Sequence, residues 1–451
     1  MSIISEIFLS GHYWLKNVHI PLCLLDKSHF TPDTREGLCR VDLEIVQEKI
    51  SSIVLSDSTV IENTFIDLKG GIIFPGFVDI HTHLDKSHIC ERSPNLDGTF
   101  DTAITTLRKD VQAFWQPEDV YARMEFSLKC SYAHGTTAIR THLDSFGRQA
   151  DLVFEVFKRL QTQWQDKIIL QAVCLVSLDY FLTDEGVILA DKVAEYGGIL
   201  GGVAYMNPYL EKQLNQVFTL AKERNLSLDF HVDENNDFNS VCLHKIAEIA
   251  IKHEFSNQII CSHCCSLAVQ SQEIINRTIK LVKQAKIGVV SLPMCNLYLQ
   301  DRASNKTPYW RGITKVHEFK KQGIPIIFAS DNCRDPFFGF GDHDGLEVFK
   351  ESVRIAHLDT PYSDWCSSVT KTPATLMGLS SIGRISIGLN ADLILFKARY
   401  FSELLSRPQS DRIVLRRGKP INTNLPDYAE LDNLVLVNKD YNKSVQVGIS
   451  R

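Results

Sequence analysis

From Gly70 onward one pattern repeats: an apolar, β-branched run ending in polar residues, then a stretch with apolar residues at helical spacing. The runs cover residues 72–83, 136–144, 169–177, 198–206, 226–234, 258–264, 287–294 and 324–332, eight in all. Residues 211–224, 272–285 and 316–322 carry the helical pattern between runs, and Gly135, Asn225 and Gly323 stand where a turn delivers the chain to the next strand. Strands alternating with helices require a parallel sheet, and eight such units predict an α/β fold closed into a (β/α)8 TIM-like barrel.

The barrel occupies residues 70–382 in this reading. The flanks differ: short β-type stretches broken by Asn, Asp, Gly and Pro predict one small composite β domain built from both chain ends, residues 1–69 and 383–451. A chain of 451 residues is long enough for a large barrel and this satellite. The net charge of −6 argues against a nucleic-acid footprint, which is normally basic, and favours a small-molecule partner. No apolar run is long enough to span a bilayer, so no membrane partner is expected. The first 26 residues lack a basic stretch leading into an apolar one, and a cytoplasmic location is expected. Twelve cysteines without framework spacing read as thiols of a reducing compartment. Cys261 and Cys264 form a C-x-x-C, but a structural zinc site would need a second pair, and none lies at suitable spacing.

In a barrel of this type catalytic groups sit at the C-terminal ends of the strands. Six of the eight runs end there in polar or metal-binding residues: His81 and His83, His142 and Asp144, Ser177, His231 to Glu234, His263, and Asp331. His81 and His83 are two apart on a strand, so both imidazoles face one side and can reach one ion. His231 ends the fifth run and Asp331 the eighth, giving three histidines and a carboxylate, a donor set suited to zinc or iron(II). Glu234 stands three residues after His231, where a carboxylate can take a proton from metal-bound water and pass it to a leaving amine. The plainer reading of Glu234 is a helix cap. His263 ends the sixth run and can hold the attacking hydroxide, or serve only as a structural histidine beside Cys264 and Cys265.

At these residues the chain resembles the amidohydrolase superfamily, and within it the cytosine deaminase-like branch. The matching stretches are residues 74–86 (FPGFVDIHTHLDK), 140–144 (RTHLD), 231–234 (HVDE), 262–263 (SH), 296–302 (NLYLQDR), 311–315 (RGITK) and 331–336 (DNCRDP). Residues 388–392 (GLNAD) resemble the return into the family's β domain. The resemblance implies a mononuclear centre holding one divalent ion, zinc or iron. Relatives with two metals bridge them with a lysine ending the fourth strand, and residues 198–206 contain no lysine. It further implies His81, His83, His231 and Asp331 as ligands, Glu234 as proton shuttle, His263 as orienter of hydroxide, and Asp331 as a second proton acceptor.

The implied reaction is hydrolytic deamination of a cytosine-like amino-N-heterocycle with release of ammonia. The alternative at the same site is hydrolysis of a cyclic amide or of an N-alkyl-substituted triazine. A barrel that has become a binding protein usually loses ligands, whereas all four are present here. The base-flipping zinc deaminases need H-x-E with a downstream P-C-x-x-C, a pairing absent here. The chain departs from the branch at its substrate pocket. Where cytosine-specific members carry a glutamine, alignment places Ser177; the second aspartate after the ligand is Asn332, and the residue before it, often His, is Ser330. Lys86 follows the H-x-H-L-D segment and either contacts a substrate carbonyl or pairs with a buried carboxylate. With Ser177, Lys86 and Asn332 as substrate-binding candidates, cytosine is expected to be a poor substrate and a bulkier ring a better one. The number of subunits stays open, a homo-oligomer included.

Overall fold

The computed structural model describes residues 7–8, 10–26, 30–56 and 64–435. The parts of the expected β domain at residues 1–6, 9, 27–29, 57–63 and 436–451 lie outside the described residues. Strands β1 (His12–Pro21), β2 (Leu38–Val46), β3 (Lys49–Leu55) and β4 (Phe65–Asp67) form a sheet in the order β3-β2-β1-β4. The alternating buried residues Tyr13, Leu15, Val41, Leu43 and Ile45 explain its inward face.

The first repeat of the sequence is split between two sheets. Its start, β5 (Ile73–Pro75), leaves for a small sheet, and the barrel strand β6 (Phe77–Thr82) begins only after Gly76. A Cβ on Gly76 would lie 2.2 Å from Thr137 Cγ2, so the crossing requires glycine. The barrel continues through β7 (Thr136–Asp144), β8 (Ile169–Leu175), β9 (Leu200–Ala204), β10 (Leu228–Val232), β11 (Ile259–His263), β12 (Gly288–Ser291) and β13 (Ile326–Phe328). Neighbouring strands are parallel, bridges at Val173–Ile199 and Ser177–Val203 join β8 to β9, and a Thr82–Asp331 bridge closes the ring. The seventh repeat stops being a strand at Ser291, because Pro293 opens a helix (Pro293–Leu299). Gly135, Asn225 and Gly323 all take the left-handed turn conformation their positions suggested. Beyond the barrel, β14 (Leu393–Leu395), β15 (Ile413–Arg416) and β16 (Lys419–Pro420) complete the small sheet by pairing β14 with β5.

The two ends of the chain meet through bridges at Leu25–Ile385 and Lys49–Asn390, and the Tyr13 hydroxyl donates to the Gly418 carbonyl. Inside the barrel, Val78, Ile80, Ala138, Ile260, Val290, Leu292, Ile327 and Ala329 pack as one apolar layer. Ala374 and Met377, from the helix Lys371–Leu376 and the residue after it, cover that layer at the strands' N-terminal ends. The polar residues gather at the opposite end. All twelve cysteines are free thiols, Cys261 and Cys264 included. No helix among the described residues is long and apolar enough to cross a membrane.

Candidate active site

His81, His83, His231, His263, Asp331 and Glu234 converge at the C-terminal mouth of the barrel. The Asp331 Oδ1 atom lies 3.4 Å from His81 Nε2 and 3.3 Å from His83 Nε2, and the Nε2 atoms of His83 and His231 face each other at 3.3 Å. Donor atoms of His81, His231 and His263, of His81, His83 and Asp331, and of Glu234, His263 and Asp331 each fall within 4.8 Å of one another. Backbone pairing fixes this arrangement. The Asp331 N–H donates to the His81 carbonyl, the His83 N–H to the Asp331 carbonyl, and the Thr82 hydroxyl to the same oxygen. Asp331 and His263 sit at φ 63° and 67°, a region costly for non-glycine residues and concentrated at functional sites.

In His81 and His263 the second ring nitrogen is anchored while the converging one is not. Ser262 Oγ engages His81 Nδ1 at 2.9 Å, and Asn296 Nδ2 lies 3.1 Å from His263 Nδ1. His81 Nε2, His263 Nε2 and Asp331 Oδ1 are buried and have no hydrogen-bond partner among the described residues. Orphaned buried acceptors of this kind normally cost ~1–3 kcal/mol each. Burial pushes the pKa values of His83 and His231 well below the usual imidazole value and that of His263 down to about 4. Neutral imidazoles offer lone pairs, so the donor set fits a divalent ion.

Glu234 does not cap a helix. Asp233 does so instead, accepting the N–H groups of Cys242 and Leu243 at the start of the helix Cys242–Lys252 and the hydroxyl of Ser240. Glu234 is left facing the mouth, where its Oε1 accepts from Asn296 Nδ2 at 3.1 Å and lies 3.3 Å from His263 Nδ1. Burial, reinforced by the Asp331 carboxylate, pushes its carboxyl pKa well above the ordinary glutamate value. A carboxyl so placed is a candidate proton carrier.

The three substrate-binding candidates line the same cavity, about 500 Å³ in volume, that reaches His83, His231, Glu234, His263 and Asp331. Lys86 pairs with a carboxylate, the second of the two alternatives given for it. Its Nζ donates to Asp144 Oδ1 at 2.7 Å, and it borders the cavity. Burial disfavours its charge, but Asp144 and Asp85 more than offset that, so it stays an ammonium group. Asn332 is held by a 2.6 Å hydrogen bond to Asp335. Ser330 donates to Asp79, whose carboxyl burial pushes up to about 6. Several participants carried no assigned role in the sequence. His142 stacks 3.9 Å from His81, and behind it Asp229 is clamped by Arg140 at 2.9 Å. Asp229 and His231 are two apart on one strand, so they share a face, a signal that was available. Asn296 lies 62 residues beyond Glu234, and nothing local reveals their contact. Phe100, Ile104, Leu107 and Arg108, on the helix Phe100–Phe114, form a cavity wall the strand pattern could not announce.

The chain is 47% identical to the pterin deaminase of Rhizobium rhizogenes strain K84 over 427 residues, covering 94% of this chain and 97% of that one. It is 25% identical to the N-isopropylammelide isopropyl amidohydrolase of Pseudomonas sp. strain ADP, covering 79% and 87%. Its fold matches the crystal structure of 5-methylcytosine deaminase from Klebsiella pneumoniae liganded with phosphonocytosine, with a TM-score of 0.78 at 22% identity over 92% of this chain and 99% of that one. Residues 64–127 and 131–421, most of the chain, match the amidohydrolase family. The chain therefore belongs to the amidohydrolase family and is an enzyme acting on C–N bonds.

Proposed function

We propose that this protein hydrolyses the amino group of a pterin-like bicyclic heterocycle, releasing ammonia. The observation that carries this reading is the near-half identity to a pterin deaminase along almost the whole of both chains. The cavity of about 500 Å³ supports it, being roomy for one pyrimidine ring. The cytosine-like ring expected from the sequence thus gives way to a fused two-ring substrate, in the direction that Ser177 indicated.

His81, His83, His231 and Asp331 would hold one divalent ion, zinc or iron. When bound, such an ion lowers the pKa of water toward about 7 and so supplies hydroxide at neutral pH. His263, fixed through Nδ1, orients the attacking oxygen with its free Nε2. Glu234 takes the water's proton and delivers it to the ring nitrogen beside the amine-bearing carbon. Asp331 accepts the second proton and returns it to the departing amine. Water and a ring amine become a ring carbonyl and ammonia, and both carboxylates are restored. Lys86, charged and held by Asp144, meets a ring carbonyl, while Asn332 and Ser177 meet the remaining polar edge.

Metal-loaded protein mixed with pterin, cytosine and N-isopropylammelide separates the readings. Ammonia in step with loss of pterin is expected. Isopropylamine from the ammelide without ammonia from pterin would favour the N-alkyl alternative, and ring opening of any of them would overturn deamination.

A further inference from the structure

A second cluster of metal-ligating side chains lies apart from the mouth's ligand set. His88, Cys333 and His343 are all buried, and a ligand atom of each falls within 4.8 Å of the others. Both ring nitrogens of His88 and both of His343 are buried without a hydrogen-bond partner among the described residues. An imidazole carries one N–H donor and one acceptor, so each ring holds one buried lone pair that is costly to leave without a partner.

Every flank of the cluster is anchored, although the ring nitrogens themselves are free. The His88 N–H donates to the Cys333 carbonyl at 3.2 Å, and the His88 ring packs edge-on against Phe126. Asp342 binds His134 at 2.7 Å, and Asp344 accepts two hydrogen bonds from Arg412, which pins His343 between them. Beside Cys333, the Arg334 guanidinium stacks over Tyr428 at 4.5 Å. His88 and His343 have positive φ, 62° and 53°, a conformation held by context rather than preference.

We propose that His88, Cys333 and His343 bind a structural zinc ion, distinct from the ion at the barrel mouth. Two imidazoles and a thiolate are a borderline-to-soft donor set that suits zinc rather than magnesium or calcium. Structural zinc takes four ligands. His88, Cys333 and His343 supply three of them, and a water molecule would complete the set. The ion ties the segment after β6, which bears His83 and Lys86, to the segment after β13, which bears Asp331 and Asn332. It therefore braces two walls of the catalytic mouth from behind. The short helix Asp432–Val435 and Leu431 pack over the same helix that supplies Phe126 and Cys130, covering the site from outside.

The test uses the intact chain loaded with cobalt(II), whose thiolate charge-transfer band in the near ultraviolet reports cysteine coordination. The ligand set at the mouth contains no thiolate. Wild type should bind two ions per chain and show the band. Cys333→Ser and His343→Ala should each lose one ion and the band, while His231→Ala loses one ion and keeps the band. If a variant does not fold, the wild-type count and spectrum decide. One ion per chain, or no thiolate band in the fully loaded wild type, would overturn the second site while leaving the deaminase reading untouched.

Discussion

Arg92, Asp110, Asp119 and Arg123 are about as deeply buried as His81, His83, His231 and Asp331, but the two groups meet different surroundings. In the first, every carboxylate oxygen has a partner. Arg92 binds both oxygens of Asp110 at 2.8 Å, Ser93 and Trp115 add further donors to Asp110, and Asp119 accepts from both arginines. Arg123 also reaches the Asp85 carbonyl, linking this network to the segment that carries Lys86. In the second group, His81 Nε2 and Asp331 Oδ1 converge without hydrogen-bond partners among the described residues. Burial alone does not mark a functional site. A closed network holds the wall of the cavity in place, whereas an open one awaits a ligand.

The comparison breaks most sharply at the metal ligands. His231→Ala or Asp331→Asn should abolish activity and remove one metal ion per chain, because each removes a donor from the proposed ligand set. Metal analysis beside turnover checks this. Retention of that ion in both variants would place the centre elsewhere. Glu234→Gln should leave metal content intact and depress kcat on the order of 10²–10⁴-fold, the usual range for a general acid–base group. A kcat within a few-fold of wild type would remove Glu234 from proton transfer.

The closed network should answer differently. Arg123→Met leaves Asp119 with a buried charge that has lost one of its two arginines, and broken buried pairs cost about 3–5 kcal/mol. The denaturation midpoint should fall accordingly, while kcat per folded molecule stays within a few-fold. A large loss of kcat without loss of stability would mean that the network takes part in the chemistry.

This difference also explains what could be read from the sequence. The eight strands, their order and the six mouth residues follow from local periodicity and from polar residues at strand ends, both short-range signals. The division of the first repeat at Gly76 was hidden, because its two halves read as one apolar run and only the contact with Thr137 separates them. Asp233 and Glu234 are adjacent acids, and which one caps the helix depends on side-chain direction at a left-handed turn at Asp233. Arg92, Asp110, Asp119 and Arg123 look like ordinary surface charges of helices and loops. Their burial arises from tertiary packing, which no local pattern encodes.

The smallest expected effect concerns selectivity among rings at Ser177. This residue follows β8 and borders the cavity beside Leu175 and Val176, while its backbone is tied to Val203 of β9. Its position is therefore fixed by the barrel, and only its side chain varies the space above the mouth. A serine hydroxyl is short and makes one directed contact, whereas a glutamine amide offers a donor and an acceptor that match the adjacent carbonyl and N–H of cytosine. Ser177→Gln should fill the space that a second ring needs. Changes of this size in a pocket alter kcat/KM by roughly 10–200-fold. The variant should lose efficiency toward pterin, and cytosine should lose less or gain. Metal content and fold should not change, since Ser177 lies outside the ligand set. The ratio of kcat/KM for the two substrates is the quantity to measure, because it cancels general damage. An unchanged ratio would show that ring size is sensed elsewhere, with Phe100, Leu107 and Arg108 on the opposing helix as the next positions to vary.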